Sequence, residues 1–440
     1  MKLVQGTRSP WGLCVAALMA GAWVMPAAAA DLGGNCCADL EERVAELEAT
    51  TARKGNRKVS LTISGWVNEN VLWWDDGTER NTYVGTNPVE QSRFRFVGEA
   101  KINADWSAGY LLEIGVWGGN GSKFDQFSPD GATGANSLVV RKSSWFVKSK
   151  TFGKLSVGQD STATYHLLDD ADASMTRNFY DAEGPPDYLQ TFYLRDKAGN
   201  KIGSGNGLKW GDALRGFNNS TPGDDGRRNV VRYESPTFAG FSVATAWGED
   251  DIWDAAVIYK GEAGDFNYNA RAGYGQSTDG FSTPCHGSST SPDNALNCEW
   301  WGVSAFLQHA PTGLFVYGGY GKQHDGSNNP GIDASIVEKD STTWFVQGGI
   351  EKKWIPLGKT NIFGMYRKDD AGTNPGKTLD SNIDFWAVGA AQNIEAAEAT
   401  LYLVYQHADG EVTTPGVLAP PQTHDLSAMQ QVIGGMKINF

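Results

Sequence analysis

The sequence predicts an all-β chain: a sixteen-stranded antiparallel transmembrane β-barrel with short turns at one end, long loops at the other and a short helix in front. Three observations predict it. From residue 58 onward hydropathy alternates every second residue, with no helical stretch to interrupt it. The connections between the alternating segments are short and long by turns, the layout of a bacterial outer-membrane barrel. The chain opens with an export leader, and no later apolar run approaches the ~20 residues of a membrane-spanning helix.

The leader is residues 1–30. Lys2 and Arg8 make a basic start, Trp11 to Met25 an apolar run, and Pro26 with the alanines after it a small-residue cleavage site, ending at Ala29 or Ala30. Losing Lys2 and Arg8 takes the formal charge from −14 to −16. That acidity argues against a nucleic-acid partner, which needs a basic face.

Residues 31–57 form an N-terminal segment on the periplasmic side. DLEERVAELEAT places Leu40, Val44 and Leu47 on one stripe of an acidic helix, at heptad-like spacing. An isolated helix this short is marginal in water. Either three copies support one another, or the segment is a mobile spacer reaching toward the cell wall. TARKGNRK, polar and basic, is the hinge into the first strand.

The barrel spans 58–440, with strands near 59–73, 91–103, 107–117, 138–149, 151–159, 228–236, 239–248 and 252–260. The rest lie near 264–275, 299–309, 313–321, 341–352, 359–368, 383–393, 398–408 and 427–440. Several phases are clear. Arg93, Arg95, Glu99 and Lys101 oppose Phe94, Phe96 and Ala100; Asn267, Asn269 and Arg271 oppose Phe266, Tyr268 and Ala270; Gln431 and Lys437 oppose Val432, Met436 and Phe440. LVVRKSSWFVKS at 138–149 has no clean phase. Most segments exceed the five or six residues usual in soluble sheets and suit tilted membrane strands. The connection after the seventh strand, GEDD, is short where a long one is expected. The Trp, Tyr and Phe residues near segment ends suit an interfacial girdle.

Cys14 leaves with the leader. Cys285 and Cys298 flank a polar loop and are the candidate disulfide; vicinal Cys36 and Cys37 are strained partners for each other, with free thiols or intermolecular bonds as alternatives. No His lies at metal-ligand spacing from either pair, and the scattered histidines form no triad, so neither a metal site nor an enzyme is expected. GSGNGLKWG at 203–211 has dinucleotide-like glycines but no following helix. DDADAS at 169–174 offers oxygens of the kind Ca²⁺ takes, without the Gly and distal Glu of an EF-hand. No cofactor is expected.

NVVRYESPTFAGFSVATAWG at 229–248 resembles a strand-turn-strand hairpin of bacterial general porins. FGKLSVGQDS at 152–161 resembles the strand entering their constriction loop, HAPTGLFVYGGYG at 309–321 another hairpin, and terminal Phe440 their outer-membrane assembly signal. The whole layout is similar to the alphaproteobacterial porin family. The resemblance implies a homotrimer in outer-membrane lipid and lipopolysaccharide, each barrel passing small hydrophilic solutes and ions, with its third long loop folded inside.

That loop is 160–227, the longest connection, and its length alone singles it out as functional. It carries Asp169, Asp170, Asp172, Asp181, Glu183 and Asp187. The candidate lumen cations facing it are Arg93, Arg95, Lys101, Arg232 and Arg271. An acidic loop opposed to a basic wall sets up a transverse field at the narrowest point. The acidic loop and overall charge lean toward cations and the lumen arginines lean the other way, and a weak cation preference is expected. Two other functions fit the same barrel: a substrate-specific (for example sugar) channel, for which Trp66, Trp300 and Phe306 fall in lumen phase, and an adhesive barrel with a blocked lumen.

Overall fold

The computed structural model describes residues 59–129, 131, 137–182, 184–203, 205, 207–214, 221–248, 251–278, 285, 297–326, 337–374, 376–416 and 420–440. The expected leader, the helix with Leu40, Val44 and Leu47, Cys36, Cys37 and Glu183 all lie outside them.

The period-two stretches fold as antiparallel strands. They are β1 (Ser60–Asp75), β2 (Arg80–Thr86), β3 (Arg93–Lys101), β4 (Trp106–Trp117), β5 (Ser137–Ser149) and β6 (Gly153–Ser161). Next come β7 (Arg227–Glu234), β8 (Phe241–Gly248), β9 (Ile252–Ala263), β10 (Phe266–Ser277), β11 (Cys298–His309) and β12 (Leu314–Asp325). Last are β13 (Asp340–Ile355), β14 (Gly358–Ala371), β15 (Asp380–Ile394), β16 (Ala399–Thr414), β17 (Gln422–Asp425) and β18 (Met429–Asn439). β18 pairs with β1 from Trp66↔Asn439 to Asp75↔Gln430, which closes the sheet and removes its edges.

Eighteen segments make sixteen barrel strands because two strands are broken. β2 and β3 both pair with β1, and residues 87–92 loop out opposite Val67 and Asn68. Likewise β17 and β18 both pair with β16, with 426–428 outside the ladder opposite Asp409 and Gly410. The alternation near 91–103 and 427–440 marks only the lower piece of each. Pro88 in the first break and the Pro-rich 415–421 ahead of β17 mask the upper pieces, since proline cannot donate to a ladder.

The stretch without a clean phase has a physical cause. The register between β4 and β5 jumps from Glu113↔Lys142 to Ile114↔Val140, so Arg141 is an extra, bulged residue. The bulge turns Arg141 inward beside Lys142 and reverses the alternation above it, leaving Leu138 and Val140 exposed.

Outward-facing residues are largely apolar, as lipid requires. At the long-loop end a repeated cross-strand pair forms the girdle: Trp253–Tyr274, Trp301–Tyr320, Trp344–Tyr366 and Trp386–Tyr405, with ring centroids 5.2–5.6 Å apart. Each Trp meets the Tyr two residues before its direct partner, the diagonal reach of large aromatics across a ladder. Cys285 and Cys298 are disulfide-bonded, Cα–Cα 5.8 Å, and tie the β10–β11 loop to the start of β11. Phe440 exchanges backbone hydrogen bonds of 3.0 Å with Gly65, extending the closing seam to the last residue.

The core sits inside the barrel. The segment between β6 and β7 folds into the lumen and packs Leu168, Phe179, Tyr180, Tyr188, Phe192 and Trp210 against the inner faces of β1, β11–β16 and β18. Those strands carry apolar residues inward as well as outward, among them Phe315, Phe345, Phe363, Phe385 and Ile433. Water cannot cover such a wall cheaply, at about 25 cal/mol per Å² of apolar surface. A loop covers it instead.

Candidate functional site

Two kinds of contact fix the inner loop. Wall side chains satisfy its backbone: Tyr317 Oη donates to Leu168 O (2.6 Å), Asn87 Nδ2 to Phe179 O (3.1 Å), Gln431 Nε2 to Tyr188 O (3.1 Å) and Arg367 Nη1 to Ala182 O (2.5 Å). Ser304 Oγ reaches Leu167 O at 2.6 Å, and Met175 N donates to Glu351 at 2.6 Å. A loop buried in this way must have its backbone groups paired, and the strands supply the partners. Both strand breaks take part. Asn87 lies in the first, and Ser427 N in the second donates to Arg195 O at 2.8 Å. Shape is the second fixture. Where the loop returns to the wall, a Cβ on Gly321 would lie 1.6 Å from Pro222 O, and one on its cross-strand partner Gly302 2.8 Å from Gly223 O.

On the opposite side, β3–β7 present charge to the lumen. Buried Glu113 is the hub: Arg141 Nε lies 2.9 Å away, Arg93 3.4 Å, and Arg95 pairs with its other oxygen. Arg93 also reaches Glu90, at 3.2 Å. Lys142 joins Asp160 (3.2 Å) and Ser161 Oγ (2.6 Å), Arg228 joins Asp225 (2.8 Å), and Arg227 donates to Tyr165 Oη (2.6 Å). Arg232 and Lys154 bracket Glu234 at 3.1 and 3.2 Å. Trp66 lies among Arg93 (4.5 Å), Arg95 (5.7 Å) and Lys437 (4.2 Å), cations drawn to its ring face.

Arg177, from the loop itself, joins the two sides. It contacts Asp169 (3.0 Å), Asp170 (3.0 Å), Asp181 (2.6 Å) and Glu90 (3.2 Å). His166 meets Asp169 at 2.6 Å, from a left-handed backbone at φ 55° that its short turn imposes. Burial raises the Asp170 carboxyl, but Arg177, His166 and Arg271 pull it down to about 2. Asp172 has no such cation in contact. Burial pushes it up to about 6 against the lowering bonds from Thr176 and Ser174.

The expected residues therefore divide. Arg271 meets the acidic loop, at Asp170 (3.0 Å). Arg93, Arg95 and Arg232 line the lumen but pair with carboxylates of the wall, Glu113 and Glu234, or of the first strand break, Glu90. Lys101, the last residue of β3, is exposed at the short-turn rim, apart from the cluster. Asp169 and Asp181 are buried behind Arg177, while Asp172 and Asp187 are buried within the loop. Arg177 sets one guanidinium of the loop among its acids Asp169, Asp170 and Asp181, while most of the wall cations pair with carboxylates of the wall itself.

Of the candidate aromatic strip, Trp300 and Phe306 are buried; the Trp300 indole donates to Thr164 Oγ1 at 3.0 Å. Among the described residues, no group of three or more His, Cys, Asp or Glu side chains is placed to hold a metal ion. Sequence reasoning missed Glu113, Arg141, Lys142 and Arg177. Two of these carried a signal: Glu113 is a lone acid in the apolar run YLLEIGV, and Arg177 is the one Arg or Lys in the acidic stretch 165–190.

A closed barrel with an apolar outer band, an aromatic girdle and a charged lumen narrowed by its own loop defines an outer-membrane channel. The chain belongs to the Gram-negative porin family, whose family model matches residues 14–413. Three solved structures share the fold. The anion-selective porin of Comamonas acidovorans is 15% identical, with TM-score 0.55 over 87% of this chain and 100% of that one. OmpF of Salmonella typhi, in complex with daunomycin, is 13% identical, with TM-score 0.53 over 88% and 99%. The outer membrane channel DcaP of Acinetobacter baumannii is 12% identical, with TM-score 0.51 over 89% and 100%. No curated protein sequence matches the chain.

Proposed function

We propose that the channel is a general diffusion pore, passing small hydrophilic solutes and ions passively between the inner loop and the charged wall made by β3–β7 with Arg271 of β10. The supporting observation is the division of the lumen. One side is filled by a dry aromatic core, whereas the other keeps charged side chains partly open to water. The constriction is then set by Arg177 and Asp170 on the loop facing Arg95, Lys142, Arg232 and Arg271 on the wall, with no catalytic step and no bound cofactor. The burial of Trp300 and Phe306 leaves little aromatic strip for a sugar-specific channel.

The resemblance to alphaproteobacterial porins supports a homotrimer seated in outer-membrane lipid and lipopolysaccharide. It likewise supports Phe440 as the assembly signal, residues 1–30 as the leader, and 31–57 as a periplasmic segment near the cell wall. The test is reconstitution of the full mature chain in planar bilayers. Stepwise, ohmic conductance is expected; silence from correctly folded protein refutes the reading.

A further inference from the structure

We infer that this pore selects for small anions, because the lumen buries its carboxylates and turns its cations to the water. The inference rests on the diffusion-pore reading and names the preferred solute class. Arg95, Lys142, Arg177, Arg232 and Arg271 keep 17–35% of their side chains exposed. Of the carboxylates that hold them, Glu113, Asp160, Asp169 and Asp181 keep 4% or less and Glu90 keeps 13%. Among the described carboxylates paired with these cations, two are open, Asp170 at 39% and Glu234 at 36%, and each stands between two cations: Arg177 and Arg271 for the first, Arg232 and Lys154 for the second.

A solute crossing the constriction therefore meets guanidinium and ammonium groups in front and their counter-charges behind. Coulomb energy falls with distance, so the nearer sign dominates the local potential, and a narrow tube screens it poorly. Around Glu113 three cations, Arg93, Arg95 and Arg141, share one carboxylate, which offsets the four carboxylates that Arg177 meets. Lys437, buried beside Trp66 at the closing seam and bonded to Asn178 Oδ1 (2.8 Å), adds positive charge behind the patch.

The acidity of the chain does not oppose this. Asp340, Asp370, Asp380, Asp384, Asp409, Glu411 and Asp425 lie toward the long-loop end of β13–β17. Exposed charges more than about 8–10 Å away are largely screened at physiological salt. Guanidinium forks suit chloride, phosphate and small carboxylates.

The experiment is a reversal-potential measurement on the folded full-length mature protein in planar bilayers, across a potassium chloride gradient. Chloride is expected to permeate at least about twofold better than potassium, and Arg95→Gln with Arg232→Gln should bring the ratio close to unity. Arg95→Lys should keep the preference. Conductance without anion preference overturns this inference while leaving the pore reading intact; absence of conductance overturns the pore reading itself. An anion preference unmoved by the double variant, and equally by Lys142→Gln should the double variant fail to fold, overturns the assignment to this wall.

Discussion

The two halves of the lumen wall start from one strand pattern and end as opposite surfaces. β1, β11–β16 and β18 turn aromatic and aliphatic side chains inward and are sealed by the inner loop. β3–β7 turn arginine, lysine and carboxylate inward and stay partly wet. The difference teaches how a barrel of this size makes a narrow pore. It fills one side with a dry core rather than closing a ring of charge, and the filled side presses the loop against the charged one. Arg177 is the joint, because its guanidinium leaves the loop and meets carboxylates from both sources.

Breaking that joint should have the largest effect. Arg177→Leu leaves Asp169 and Asp181 buried without their cation, and removing one member of a buried ion pair costs about 3–5 kcal/mol. The folded barrel should melt at clearly lower temperature in detergent by circular dichroism, with Arg177→Lys intermediate because an ammonium cannot fork among four carboxylates. An unchanged melting temperature would mean that the halves are not coupled through this residue.

A smaller effect should follow on the sealed side alone. Gly321→Val places a side chain where Pro222 O now lies, 1.6 Å from the Cβ position. The return segment must move, so single-channel conductance should rise and become noisy while the barrel still assembles. Identical conductance would show that the loop has room to adjust.

The smallest effect is in pH dependence. The folded-state pKa of Asp172 is about 6 against an ordinary 3.8, so the folded protein holds a proton that the unfolded chain releases. Its contribution to stability is full below pH 3.8 and is lost as pH rises through about 6. Asp172→Asn should flatten that part of the melting-temperature profile. A variant with the wild-type profile would assign the dependence to another group.

Much of the barrel was legible in the chain. Alternation showed which residues of β3, β10 and β18 face in, and loop length singled out 160–227. The upper pieces β2 and β17 were not legible, because proline-interrupted stretches resemble loops until a neighbouring strand pairs with them. The phase of 138–149 was hidden by one bulged residue, Arg141, whose inward turn depends on Glu113 across the ladder. The site was legible only in part. Acidic and basic residues could be placed in the lumen by parity, but their partners could not. Glu113 gathers arginines from β3 and β5, a grouping set by strand neighbours and not by sequence distance.

By itself, then, the sequence determined the leader pattern, the membrane-length strands, the two ends of the barrel and the loop that enters it. These follow from local periodicity, turn chemistry and length, which need no partner to be read. Only the tertiary structure decided which side of the lumen is dry, which carboxylates are spent on which cations, and which charges remain open to a passing ion. Those outcomes are set by burial and by distances between strands and loop, and a charge has no fixed role until its neighbours are in place.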